Sequence, residues 1–110
     1  MADEMNELVY QAIEGAKSSG KVKKGINEVT KAIEKGTAKL VAYASDVNPP
    51  EIVMHLPLLC KEKEIPCVKV GSKEELGASA GLPVPTVSVA ITNEGSAADI
   101  VKQIKSQIKE

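Results

Sequence analysis

The sequence predicts an α/β protein: a single domain over residues 1–110, built as a three-layer α/β/α sandwich around a small mixed, largely parallel sheet. Three observations carry that reading. Apolar residues recur at helical spacing in five stretches, and short apolar runs separate the later ones. The resulting order is helix, helix, strand, helix, strand, helix, strand, helix, the alternation expected when helices cover both faces of a sheet. With 110 residues, of which 43% are hydrophobic, the chain can build one modest core. The sequence has no internal repeat, linker or low-complexity tract.

Each element has a local cause. Met5, Leu8, Val9, Ala12, Ile13 and Ala16 fall on one face of a first helix, which Ser18, Ser19 and Gly20 end. A second helix opens near Gly25 or Ile26, turns Ile26, Val29 and Ile33 inward, and closes on Gly36 as a C-cap. Leu40–Ala44 is short and apolar, and reads as a first strand. Asp46, Val47 and Asn48 form a turn, and Asn48 before Pro49 starts a third helix. That helix carries Ile52, Val53, Leu56, Leu58, Leu59 and Cys60, with Pro57 placed to kink or split it. Residues 66–70 form a second strand. Ser72 with Glu75 makes a capping box for a short helix ending at Gly81. Residues 85–92 form a third strand. Ser96 with Asp99 repeats the capping pattern before a last helix with Ile100, Ile104 and Ile108 on one face.

Composition narrows the function. No stretch is long and apolar enough for a membrane span, and the N-terminus is acidic (Asp3, Glu4, Glu7), which argues against a secretory signal. The expectation is a soluble cytoplasmic protein. The net charge is −1, but between Lys17 and Lys39 seven lysines face only Glu28 and Glu34. One anion-binding face on an acidic body fits that asymmetry; a solvated face with lysines for solubility fits it as well. There is no arginine for bidentate recognition, and the aromatics are Tyr10 and Tyr43 alone. Base stacking on exposed rings is thereby disfavoured. Any nucleic-acid contact must rest on hydrogen bonds, lysine charge and aliphatic surface.

Two segments carry candidate chemistry. In the first, Lys23 and Lys24 precede Gly25, and Asn27, Glu28 and Lys31 follow it at the start of a helix. Glycine lets a backbone approach a ligand without a Cβ. An amide, a carboxylate and an ammonium then cluster at the positive end of a helix dipole. That set can read a nucleobase edge while neighbouring lysines hold phosphates. In the second, Leu82, Pro83, Val84, Pro85, Thr86 and Val87 make a stiff, largely apolar connection. It can fold onto its own core or give an unstacked base a rigid contact. Lys73 is either a surface lysine or a phosphate contact.

Catalytic and metal chemistry find little support. His55 and Cys60 stand five residues apart, about 140° around a helix axis, so they do not face each other. Cys60 and Cys67 read as free thiols rather than a disulfide framework. One histidine and two cysteines make no convincing zinc site. Gly71, Gly77 and Gly81 match neither phosphate-loop spacing. No catalytic residue, metal ligand or cofactor is assigned.

The stretches KKGINEVTKAIEKG, ASDVNPPEIVMHLPLLCKEKEIPCVKV, SKEELGASAG and VPTVSVAITNEG resemble the kink-turn-binding family of archaeal and eukaryotic ribosomal proteins, the archaeal members above all. The likeness runs from about Lys23 to Gly95. It implies a non-catalytic RNA-binding scaffold with an αβα fold, gripping a sharply bent RNA that has tandem sheared G·A pairs and one flipped-out nucleotide. By position, Gly25, Asn27, Glu28 and Lys31 match the motif that reads the G·A pairs. Lys23, Lys24 and Lys73 match backbone contacts. Asn48, Ile52 and the Val84, Pro85, Thr86, Val87 loop match the surface around the flipped nucleotide, and Leu82 adds apolar area beside it. The chemistry agrees, because a sheared guanine leaves N1–H and O6 free for Glu28 to accept and for Lys31 or Asn27 to donate. Ile26 and Val29 stand where alanine is frequent, Asn48 where an acid is frequent, and Val84 where eukaryotic relatives carry arginine.

The resemblance further implies partners. These are kink-turn RNA in the large ribosomal subunit, in box C/D and H/ACA guide particles and in ribonuclease P, with a Nop-domain scaffold protein and fibrillarin in the box C/D case. A same-fold protein-interaction domain of the translation machinery, without kink-turn binding, is the alternative; the Asn27, Glu28 and Lys31 trio argues against it.

Overall fold

The computed structural model describes the backbone of residues 2–46 and 51–108, and side chains over 6–46 and 54–106. The helices are α1 (Ala2–Ser19), α2 (Ile26–Lys35), α3 (Glu51–Glu62), α4 (Lys73–Ser79) and α5 (Ala98–Ile108). The strands are β1 (Lys21–Lys24), β2 (Leu40–Ala44), β3 (Cys67–Val70) and β4 (Ser88–Asn93). The sheet runs β1-β4-β2-β3. α1, α4 and α5 pack together, and α2 packs on α3, with the sheet between the two groups. Val9, Ile13, Ile33, Leu40, Val41, Leu56, Leu76, Ile91 and Ile104 fill the core. The predicted α/β/α class holds.

One strand is not legible in the sequence. Lys21–Lys24 pairs antiparallel with β4, with Lys24 opposite Val89. Its one apolar residue, Val22, gives too little alternation to signal a strand, and lysine is common on edges because it discourages further pairing. This strand changes the balance of the sheet. β4 also runs antiparallel to β2, with Val41 opposite Ala90. Among the described strands, only β2 and β3, joined by the α3 crossover, are parallel. The sheet is therefore mixed but not largely parallel.

Smaller differences have equally local reasons. β4 begins at Ser88, three residues later than expected, because Pro85 has no N–H and Thr86 gives its own to the Lys73 carbonyl at 3.1 Å. α3 runs through Pro57 as one helix. Gly36 adopts φ 73° and closes α2 as expected, and Thr37 N–H reaches back to the Ala32 carbonyl at 3.0 Å. Ser72 accepts from Glu75 N–H at 3.2 Å, as a capping serine should. Ser96 does not cap α5. It lies inside a 3-10 turn, Gly95–Ala97, and gives its N–H to Ser19 Oγ at 2.7 Å. The Asn48–Pro49 helix start lies outside the described residues.

Candidate nucleic-acid interface

The lysine-bearing edge strand leads straight into α2 through one residue. Gly25 has φ 90° and ψ 155°, a conformation costly for any residue with a Cβ. A Cβ placed there would meet no atom of the described residues within 4 Å, so the dihedral itself calls for glycine. Gly25 N–H donates to the Ser88 carbonyl at 3.0 Å, and the Gly25 carbonyl accepts from Val29 N–H at 3.0 Å. The first bond extends the β1–β4 ladder. The second starts the helix.

That start fixes which residues point outward. Val29, Ala32 and Ile33 are buried, whereas Asn27, Glu28 and Lys31 are exposed. On ideal helical geometry Asn27 and Lys31 lie about 40° apart and Glu28 about 60° from Lys31, so all three share one side. The N-cap, Gly25, supplies no side-chain cap, so among the described residues the positive dipole end of α2 lies next to Lys23 and Lys24 without one. Lys23 is exposed and Lys24 half-buried.

The proline-rich segment reaches the same place from the far end of the sheet. Its last residue, Val87, precedes Ser88, the residue hydrogen-bonded to Gly25. Pro83, Val84 and Pro85 are exposed, Val84 by 59%, and Leu82 and Val87 are half-buried. Thr86 differs from its neighbours. It is buried and donates its hydroxyl to the Ser88 carbonyl at 3.2 Å. Its side chain therefore supports the segment from behind, and the part of Thr86 that faces outward is its backbone. Lys73 is half-buried at the start of α4, with its N–H on Asp46 Oδ1 at 2.9 Å and its carbonyl accepting from Thr86. Ile52 stands in the first turn of α3, but its side chain and all of Asn48 lie outside the described residues.

Two supporting residues escaped the sequence reading. A Cβ on Gly77 would collide with the Val84 carbonyl and lie 3.1 Å from Thr86 N, so glycine lets the 82–87 segment lie against α4. Its spacing to Gly81 was visible, its steric purpose was not. His55 Nε2 lies 3.0 Å from Thr30 Oγ1, tying α3 to α2 immediately behind the exposed trio. A lone histidine offers no sequence signal for such a tie. The geometry separates His55 from Cys60, which is buried and paired with the half-buried Cys67 thiol. The Cys60 contact, with burial, pushes Cys67 far above the ordinary thiol range.

Acidic side chains gather on another part of the surface. A cleft of about 580 Å³ on the α1–α4 side is lined by Glu7, Glu14 and Glu75 with Asn6 and Tyr10. Burial, then the Glu75 carboxylate, pushes the Tyr10 phenol up. Glu7, Glu14 and Glu75 make this cleft a poor place for a polyanion; the lysine-flanked tip of α2 is a good one.

Residues 7–101 match the model of the ribosomal protein L7Ae/L30e/S12e/Gadd45 family. The chain belongs to that family. Its fold is similar to that of a solved structure from Giardia lamblia, described as a 15.5kD RNA binding protein, with 34% sequence identity and a TM-score of 0.90. The match covers 96% of this chain and 88% of the Giardia one. In this L7Ae-family chain the match takes in α2, α4 and the 82–87 segment, the elements that build the surface described above.

Proposed function

We propose that this chain is a non-catalytic RNA-binding scaffold that recognises kink-turn and kink-loop RNA. One observation carries the reading: the Gly25–Ser88 hydrogen bond joins a lysine-flanked helix tip to a stiff aliphatic ledge on one edge of the molecule. The tip has partners for the N1–H and O6 that a sheared guanine leaves unmatched: the Glu28 carboxylate to accept from N1–H, and Asn27 or Lys31 to donate to O6. The ledge has exposed apolar surface at Val84 between two prolines, suited to a base ejected from the stack. The similarity to an RNA binding protein from Giardia supports the same class of ligand.

On this reading the RNA partners are ribosomal RNA, box C/D and H/ACA guide RNA and ribonuclease P RNA, met in the cytoplasm. A Nop-domain scaffold and fibrillarin join in the box C/D particle, and the methyl transfer belongs to fibrillarin. Met54 and Leu58, exposed by 61% and 72% one turn apart on α3, add apolar area for a protein neighbour.

A gel shift tests the proposal. The chain is titrated onto a kink-turn RNA and onto a variant whose sheared G·A pairs are replaced by Watson–Crick pairs. The expected result is binding to the first and loss of binding to the second. Equal affinity for both would refute edge reading.

A further inference from the structure

We propose that Asp46 is a positioning residue that sets the ledge for the extruded nucleotide; this rests on the kink-turn reading above. β2 and β4 stay laddered as far as the Ala44 N–H to Val87 carbonyl bond at 3.0 Å. Beyond it the two chains part, one into the turn at Asp46 and the other back into the 82–87 segment. A relay spans the opening. Asp46 Oδ1 accepts from Lys73 N–H at 2.9 Å, and the Lys73 carbonyl accepts from Thr86 N–H at 3.1 Å. Three stretches distant in sequence are thus held through the backbone N–H and carbonyl of one residue of α4.

The relay is separate from the helix cap. Ser72 already caps α4 locally through Glu75 N–H, and Asp46 supplies a second acceptor from 27 residues away. A carboxylate on a surface that meets phosphates is repulsive unless it is engaged. Here it is engaged, by a donor at a helix start where negative charge is favourable. From the other side, Gly77 admits the Val84 carbonyl and fixes how deep the segment lies. Asp46 and Gly77 together set the height of the apolar ledge without touching a ligand themselves.

The test uses the full chain and two RNAs, a kink-turn RNA with its extruded nucleotide intact and the same RNA abasic at that position. On the intact RNA, Asp46→Ala is expected to lose about five- to tenfold in affinity, the size of one typical net hydrogen bond. On the abasic RNA the same variant should match wild type. Asp46→Asn keeps an acceptor in place and should recover most of the affinity on intact RNA. Equal losses on both RNAs, a silent Asp46→Ala, failure of Asp46→Asn to recover affinity, or an Ala variant that does not fold would each overturn the assignment while leaving wild-type kink-turn binding intact. No wild-type binding to the intact RNA would overturn both the assignment and the reading beneath it.

Discussion

The tip of α2 and the 82–87 ledge lie side by side, yet they are built in opposite ways. The tip is local. Gly25 sets the turn, the next helical turn sets the outward face, and Val29 and Ile33 anchor it from below. The ledge is assembled from afar, by Thr86 on Lys73, Lys73 on Asp46, and Gly77 under Val84. On the proposed function, the contrast separates two kinds of residue. Those on the tip can change with little consequence for the fold. The groups that support the ledge, namely the Asp46 acceptor, the Lys73 backbone and the bare Gly77 Cα, cannot be lost without moving it.

The largest effect expected is at the ledge. Gly77→Ala places a methyl against the Val84 carbonyl, and overpacking of this sort costs about 1–3 kcal/mol of stability. Chemical denaturation should show the loss, and RNA affinity should fall with it; an unchanged midpoint would mean the segment is not held by α4. Next comes the tip. Glu28→Ala should lose about 1–3 kcal/mol of binding, the size of one base-edge contact, while its denaturation curve stays put because the residue is exposed. A silent variant would remove Glu28 from the recognition set.

The same contrast decides what the sequence could reveal. The tip, the Gly36 cap, the Ser72 cap and the helical stripes all follow from residues within one or two turns, and each is readable from spacing. β1 was not, because a four-residue edge strand with three lysines draws its identity from β4 rather than from its own pattern. Ser96 reads as a cap by spacing, but Ser19, distant in sequence, claims its N–H. Thr86 sits in a segment whose proline and apolar content reads from the sequence, while its own inward turn does not. Asp46 reads as an ordinary turn residue, since nothing nearby announces the Lys73 N–H it serves.

A smaller effect sharpens the boundary between the two regions. His55→Ala removes the bond to Thr30 and should lower stability by about 0.5–1.5 kcal/mol. If the tip is self-sufficient, RNA affinity should hardly change; a parallel loss of affinity, read by titration, would show that α3 helps to set the trio. The smallest expected effect is at Lys73. Its backbone bonds survive Lys73→Ala, so the ledge should stay in place and only the salt dependence of binding should shift, by about 0.7–0.9 in slope for one lost phosphate contact. An unaltered slope would make it an ordinary surface lysine.

The joint use of tip and ledge by one RNA is best tested by crosslinking. A kink-turn RNA carrying 4-thiouridine at its extruded position is irradiated with the protein, and the attached peptide is sequenced by mass spectrometry. Attachment within residues 82–87 is the predicted result. Attachment to α1 or α5, on the other side of the sheet from α2, would contradict the account.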